Sequence, residues 1–144
     1  MIYIHGYTYV NKVGKNDESF SELDVESEEI KKALMKTDYN YELSKLWKKI
    51  DIAMCGIGSP LISKHSNWQG FYADNLLESL KEKNVSGDIL SRFYDIKGKV
   101  LDTIISKKMI GADLSDLKRA SYSIGVAESL DKTAGILGAL RGLA

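Results

Sequence analysis

One cysteine, one proline and two histidines are spread over 144 residues, and each scarcity removes a class of chemistry. Cys55 has no partner for an internal disulfide, and with His5 and His65 it does not make a metal-ligand set. At the end of an apolar run, Cys55 reads as a small core residue rather than a reactive thiol. No apolar stretch approaches the roughly 20 residues needed to span a bilayer, and the first residues lack a signal-peptide pattern, so a cytoplasmic protein with no membrane partner is expected. Charge of one sign is also missing: 20 Lys and Arg balance 20 Asp and Glu. No net field draws nucleic acid, and no direct nucleic-acid contact is expected from this chain. What remains, 44% hydrophobic and 28% charged residues, is enough to fill one core at a length typical of one domain.

Two segments share one grammar. Ile50 to Cys55 is a short apolar run of buried-strand length, and it breaks into the tight loop Gly56-Ile57-Gly58-Ser59-Pro60. Ser123 to Ala127 similarly runs into a small-residue helix, Ser129 to Arg141, with Lys132 in its first turn. Strands ending in small-residue loops and alternating with helices build ligand crevices at the carboxyl ends of open α/β sheets.

The rest of the chain fits that alternation. Met1 to Val10 reads as a strand and Asn11 to Glu22 as a polar loop. Ser27 caps a first helix through about Met35, with Glu28 and Glu29 in its first turn and lysines toward its end. Asp38 caps a second helix, in which Leu43, Leu46, Trp47 and Ile50 share one face. A third, capped by Ser66 or Asn67, carries Ala73, Leu76, Leu77 and Leu80 and ends near Asn84. Gly87 to Val100 reads as a β-hairpin with arms at Ile89 to Tyr94 and from Lys99, turning at Ile96 to Gly98. Ile104 to Ile110 reads as a strand, and Asp113 caps a short helix to Arg119.

Candidate ligand groups follow from these positions. Gly56 and Gly58 permit a sharp turn and close backbone approach, and their N–H groups can cradle an anion; a strand-ending turn needs glycine for steric reasons alone as well. Ile57 between them would offer backbone rather than side chain. Lys132 opposes the macrodipole at a helix N-terminus, a conflict that a bound anion resolves, although an exposed lysine explains it too. Asp88 can accept two sugar hydroxyls or simply shape a turn. Lys64 and His65 can reach a phosphate from a solvated loop. Trp68, Phe71 and Tyr72 can stack on a sugar face or pack a core.

Four blocks in order, GIGSP (Gly56 to Pro60), GDILSRFYDIKG (Gly87 to Gly98), IGADLSDLK (Ile110 to Lys118) and SIGVAESLDKTAGILGALRG (Ser123 to Gly142), resemble the effector-binding half of the sorbitol-operon (SorC/DeoR) class of bacterial transcription regulators. The resemblance covers roughly residues 25–144, leaving 1–24 as a poorly matched strand and loop. It implies an open, mostly parallel Rossmann-like α/β sheet with a β-hairpin, the fold of ribose-phosphate isomerases, glucosamine-phosphate deaminases and CoA transferases. It also implies a sugar or sugar phosphate as effector, a homo-oligomer, no cofactor, and DNA contact only through a separate helix-turn-helix domain. Gly56, Ile57, Gly58, Asp88 and Lys132 fall on the family's effector pocket, with Lys64 nearby. Glu128 stands where many members carry a small residue, which makes a neutral polyol as suitable as a phosphate. The chain departs from the pattern in lacking the family's first strand with its Thr-containing loop and its closing strand. Two other functions stay open: a sugar-phosphate isomerase-like enzyme, disfavoured because Ser59-Pro60-Leu61 replaces the deaminases' Asp-Gly-His, and a structural or oligomerisation fragment with no ligand.

Overall fold

The computed structural model describes residues 22–24, 28–59 and 80–143. At its centre Ile52–Gly56 (β2) pairs in parallel with Tyr122–Val126 (β6), in the register Ile52 to Tyr122 through Gly56 to Val126. The two segments sharing one grammar are thus neighbouring strands. Apolar residues without long polar interruptions let both runs extend, and Gly56 ends the first.

Glu28–Leu34 (α1) and Asp38–Trp47 (α2) precede β2. The expected cap shifts by one residue: Thr37 holds the N-cap position with extended backbone, and Asp38 is the first helical residue, where its charge still suits the macrodipole. Thr37 donates its hydroxyl backward to the Leu34 carbonyl at 2.7 Å, which ties the end of α1 to the start of α2. From α2, Trp47 is buried and Leu43 half-buried, whereas Leu46 is exposed; Ile50 is buried just beyond the helix. The expected cap at Ser27 and most of the third helix lie outside the described residues. Its end is seen: residues 80–82 are helical, and Asn84 takes a left-handed φ of 53°. Val85 N–H bonds Leu80 O and Asn84 N–H bonds Lys81 O, the two bonds of a Schellman stop.

The hairpin is real but turns earlier than expected. Gly87–Ile89 (β3) pairs with Arg92–Tyr94 (β4), and Leu90 and Ser91 form the two-residue turn with φ of 51° and 56°. Both central residues have positive φ, as a type I′ turn requires, without the glycine or asparagine that normally signals it. The expected turn at Ile96 to Gly98 is a second reversal, bridging Tyr94 to Val100, with Gly98 at φ 80°. Asp95 Oδ1 accepts the N–H groups of Lys97 and Lys99 at 2.9 Å, so Asp95 is a turn-shaping residue.

The strand expected over Ile104 to Ile110 is largely a helix. Ile104–Lys108 (α3) comes first and Met109–Gly111 (β5) follows. A reciprocal cap decides the matter: Ser106 N–H bonds Thr103 Oγ1 at 3.1 Å, and Thr103 N–H bonds Ser106 Oγ at 3.0 Å. β5 pairs antiparallel with Glu22–Asp24 (β1), so the expected loop from Asn11 ends in a strand. Leu114–Arg119 (α4) begins after Asp113 as expected, with Asp113 N–H bonding Asp116 Oδ2 at 2.9 Å.

After β6, a 3-10 turn at Leu130–Lys132 leads into Thr133–Leu143 (α5). The α5 glycines let this helix press on the hairpin. A Cβ on Gly135 would lie 2.9 Å from Gly58 O, and one on Gly138 would lie 2.6 Å from Asp95 O and 2.9 Å from the Tyr94 ring. Tyr94, fully buried, donates its hydroxyl to Gly135 O at 3.1 Å. The main core gathers Trp47, Ile50, Ala53, Cys55, Ile57, Tyr94, Ala112, Leu117 and Ala139 on one face of the parallel pair. Cys55 is a buried core residue, as expected. A second cluster joins Leu80, Phe93, Ile105 and Met109.

Candidate functional site

Five of the sequence-selected residues meet at the carboxyl end of β2. Ile57 N–H extends the parallel ladder by bonding Val126 O at 2.9 Å, and its side chain is buried in the core. Gly58 then bridges to Asp88: Gly58 N–H bonds Asp88 O at 2.8 Å, with the reciprocal bond at 3.4 Å. A Cβ on Gly58 would collide with the Asp88 carboxylate, so glycine is required there by close approach. Around Gly56, by contrast, a Cβ would meet open space.

The N–H groups of Ile57 and Gly58 are both committed to carbonyls, so in this arrangement they do not cradle an anion. The polar character of the corner comes instead from Asp88 and Lys132. Asp88 is buried, and burial pushes its pKa up to about 6, making it a weaker acid; the Ser91 backbone N–H and the Lys132 charge pull the other way without prevailing. Tyr94 is held well above the ordinary phenol range, mainly by burial and also by the neighbouring Asp88, so it stays a neutral donor. Lys132 is half-buried in the 3-10 turn that enters α5, one residue before the helix in which the sequence reading put it. Ser59 Oγ donates to Asp131 O at 2.9 Å, which ties the β2 loop to the turn carrying Lys132.

A half-buried cation beside a buried carboxylate of raised pKa, with a loop of small residues between them, suits a polyol. The carboxylate accepts hydroxyl donors and the ammonium donates to hydroxyl or anionic oxygens. Glu128 is exposed. Lys64, His65, Trp68, Phe71, Tyr72 and His5 lie outside the described residues. The sequence reading missed the Leu90-Ser91 turn, which puts the Ser91 N–H on Asp88, and Ser59, whose hydroxyl fastens the loop. Ser91 is wholly buried and its Oγ has no partner among the described residues. An aspartate three residues before a serine inside an apolar run was the available signal.

A parallel pair ending in a small-residue loop, closed by a glycine-packed helix and a carboxylate-bearing hairpin, defines an α/β domain with a polar corner at the strand ends. The chain belongs to the sugar-binding domain family: the family model described as "Putative sugar-binding domain" matches residues 21–144. It is 42% identical over 113 residues to the sorbitol operon regulator of Klebsiella pneumoniae, covering 78% of this chain and 36% of that protein. It is 31% identical over 114 residues to the deoxyribonucleoside regulator of Bacillus subtilis, covering 79% of this chain and again 36% of the relative. The chain thus spans about a third of the length of these relatives.

Solved structures agree. The full-length sorbitol operon regulator from Klebsiella pneumoniae superposes with a TM-score of 0.78 at 39% identity, covering 83% of this chain and 38% of that one. A DeoR family transcriptional regulator from Listeria monocytogenes gives 0.76 at 34% identity, covering 83% and 49%. The Rossmann-like α/β fold and the family expected from the four sequence blocks are therefore correct, and these relatives are named as regulators rather than enzymes.

Proposed function

We propose that the chain is the effector-sensing part of a bacterial transcription regulator, binding a sugar, polyol or sugar phosphate at the corner made by Gly56, Ile57, Gly58, Asp88 and Lys132. The observation that carries the reading is the contact of Gly58 with buried Asp88, beside Lys132, within a domain of the sugar-binding family. Lys64 is a further candidate contact. The domain assignment is 25–144 for the effector part, preceded by 1–24 as a poorly matched strand and loop whose residues Glu22–Asp24 pair with β5. The protein works in the cytoplasm as a homo-oligomer, takes no cofactor, and reaches DNA only through a separate helix-turn-helix domain of the regulator. Effector binding favours one arrangement of the domain or oligomer, and the difference in affinity between arrangements sets the regulatory response.

The test is thermal unfolding against hexoses, polyols including sorbitol, deoxyribonucleosides, and the phosphates of each. A single-site ligand at about 100 times its dissociation constant adds roughly 2.7 kcal/mol and raises the midpoint by several degrees. A selective rise that is lost in Lys132→Ala supports the sensor reading and names the effector class. A transition that no compound moves favours the structural-fragment alternative. One observation favours the enzyme alternative: a buried carboxylate near pH 6 suits a general base. Aldose–ketose conversion by the pure protein, abolished in Asp88→Asn, would replace the sensor reading.

A further inference from the structure

A cleft of about 410 Å3 lies between α1 and α2 on one side and β5 and α4 on the other, and Lys132 is not part of it. Four cations border it, Lys31, Lys48, Arg92 and Arg119, against two carboxylates, Asp113 and Asp116. Both carboxylates are engaged. Asp113 Oδ1 accepts Arg92 Nε at 2.9 Å; Asp116 pairs with Arg119 and accepts the Asp113 N–H. Among the described residues, no carboxylate pairs with Lys31 or Lys48.

Arg92 is 5% exposed. Its Nη1 donates to Leu90 O at 3.0 Å and its Nη2 to Gly111 O at 3.3 Å. Three of the five guanidinium N–H donors are thereby used, and two have no acceptor among the described residues. Lys31 is half-buried, and its longest-reaching contact is a weak 3.4 Å bond to Ser106 O. Burial, and then the Arg92 charge, holds the Lys31 ammonium below the ordinary lysine range. Two desolvated cations face one space with too little negative charge between them. A neighbouring hollow shares Lys31 and is edged by Lys36, by Lys32 paired with Glu28 at 3.6 Å, and by Lys107 paired with Asp102 at 3.3 Å.

We propose that the cleft binds the anionic group of a small metabolite, a phosphate monoester or a carboxylate, held by Lys31 and the free N–H donors of Arg92 over the buried Trp47 and Met109. The anion supplies the missing acceptors and cancels the repulsion between the two cations. The size suits a small molecule, and the site is separate from the Asp88–Lys132 corner.

Inorganic phosphate and succinate are the probes, each compared with chloride at equal ionic strength, by thermal unfolding and by amide shifts in NMR spectra. The expected result is a saturable rise of several degrees with one of them, with shifts at Lys31, Arg92 and Gly111. Lys31→Gln weakens the apparent affinity about tenfold, the loss of one charge-assisted bond, while Lys31→Arg retains it and Lys132→Ala leaves it unchanged. Whichever probe acts identifies the class of anion. A response no larger than that to chloride overturns the proposal. So does a response that survives Lys31→Gln, or one abolished by Lys132→Ala, which would place the anion at the other corner. Failure of the sugar panel leaves this result untouched, and the reverse holds too.

Discussion

The two faces of the β2–β6 pair are unlike. On one, Ala53, Cys55 and the following Ile57 are buried under the helices in the main core. On the other, Ile52, Met54, Tyr122, Ile124 and Val126 stand side by side, each 46 to 68% exposed. Parallel strands are ordinarily covered on both faces, and their sequences read as continuous apolar runs for that reason. These strands have such sequences, yet among the described residues only one face carries a lid of helices. Even the covered side is thin beside β6, where a cavity of about 200 Å3 opens between Cys55, Gly125, Leu117, Ile136 and Leu140. An apolar strand sequence therefore records what a strand is built to be covered by, and in this chain the open face supports the proposed association of copies or regulator segments.

Substitutions can sharpen that contrast. Ile57→Ala on the buried side is expected to cost about 2–5 kcal/mol in denaturant unfolding. If it costs less than 1 kcal/mol, the covered side is not the packed one. The next effect concerns Asp88, which sits where the covered side meets the proposed ligand corner. Its pKa is raised in the folded protein to about 6 from an ordinary value of 3.8. The folded state thus holds the proton more tightly, so stability is full below pH 4 and declines as pH rises through 6. The decline is on the order of 3 kcal/mol by linkage. Asp88→Asn should flatten that slope and unfold later at pH 7.5, and an unchanged slope would show that Asp88 ionises freely.

Gly138→Ala tests the packing of α5 from the same side. Helix propensity alone predicts a gain of about 1 kcal/mol. The new methyl would meet the Asp95 carbonyl and the Tyr94 ring, and backbone does not yield cheaply, so a net loss of about 1–3 kcal/mol is expected. A more stable variant would mean that helix and hairpin are not in contact. The smallest effect belongs to the open face: Ile124→Lys should move stability by only about 0.5 kcal/mol. The same change should shift sedimentation toward smaller species if this face joins copies, and no shift would place the association elsewhere.

Much of this was legible in advance because it rests on strong local signals. An apolar run broken by Gly56 and Gly58 gave β2 and its loop, and Ser123 to Ala127 gave β6. Asp113 announced α4, and the small-residue run from Ser129 to Arg141 announced α5. The misreadings have physical causes. The turn at Leu90-Ser91 uses two ordinary residues at positive φ, a conformation that the surrounding pairing imposes and local sequence does not show. Ile104 and Ile105 look like strand residues, but the Thr103–Ser106 cap outweighs their preference. Glu22–Asp24 pairs through its backbone, so its polar side chains gave no strand pattern. Of the candidate site, residue choice was legible, but the direction of the amides was not: the sequence cannot say that Gly58 already donates to Asp88. Arg92 lay unremarked inside an apolar stretch, though an arginine amid Ile89, Leu90, Phe93 and Tyr94 is itself a sign of a buried charge with partners to find.

The glycines of α5 also tie its stability to the hairpin. With glycine at 135, 138 and 142, an isolated eleven-residue helix would be far below the length and propensity at which helices persist in water. It gains its stability only against the hairpin, whose own turn at Leu90-Ser91 is costly to form alone. Helix and hairpin therefore depend on each other for stability. The corner holding Asp88 and Lys132 joins these two elements, and native-state hydrogen exchange is expected to find them opening together.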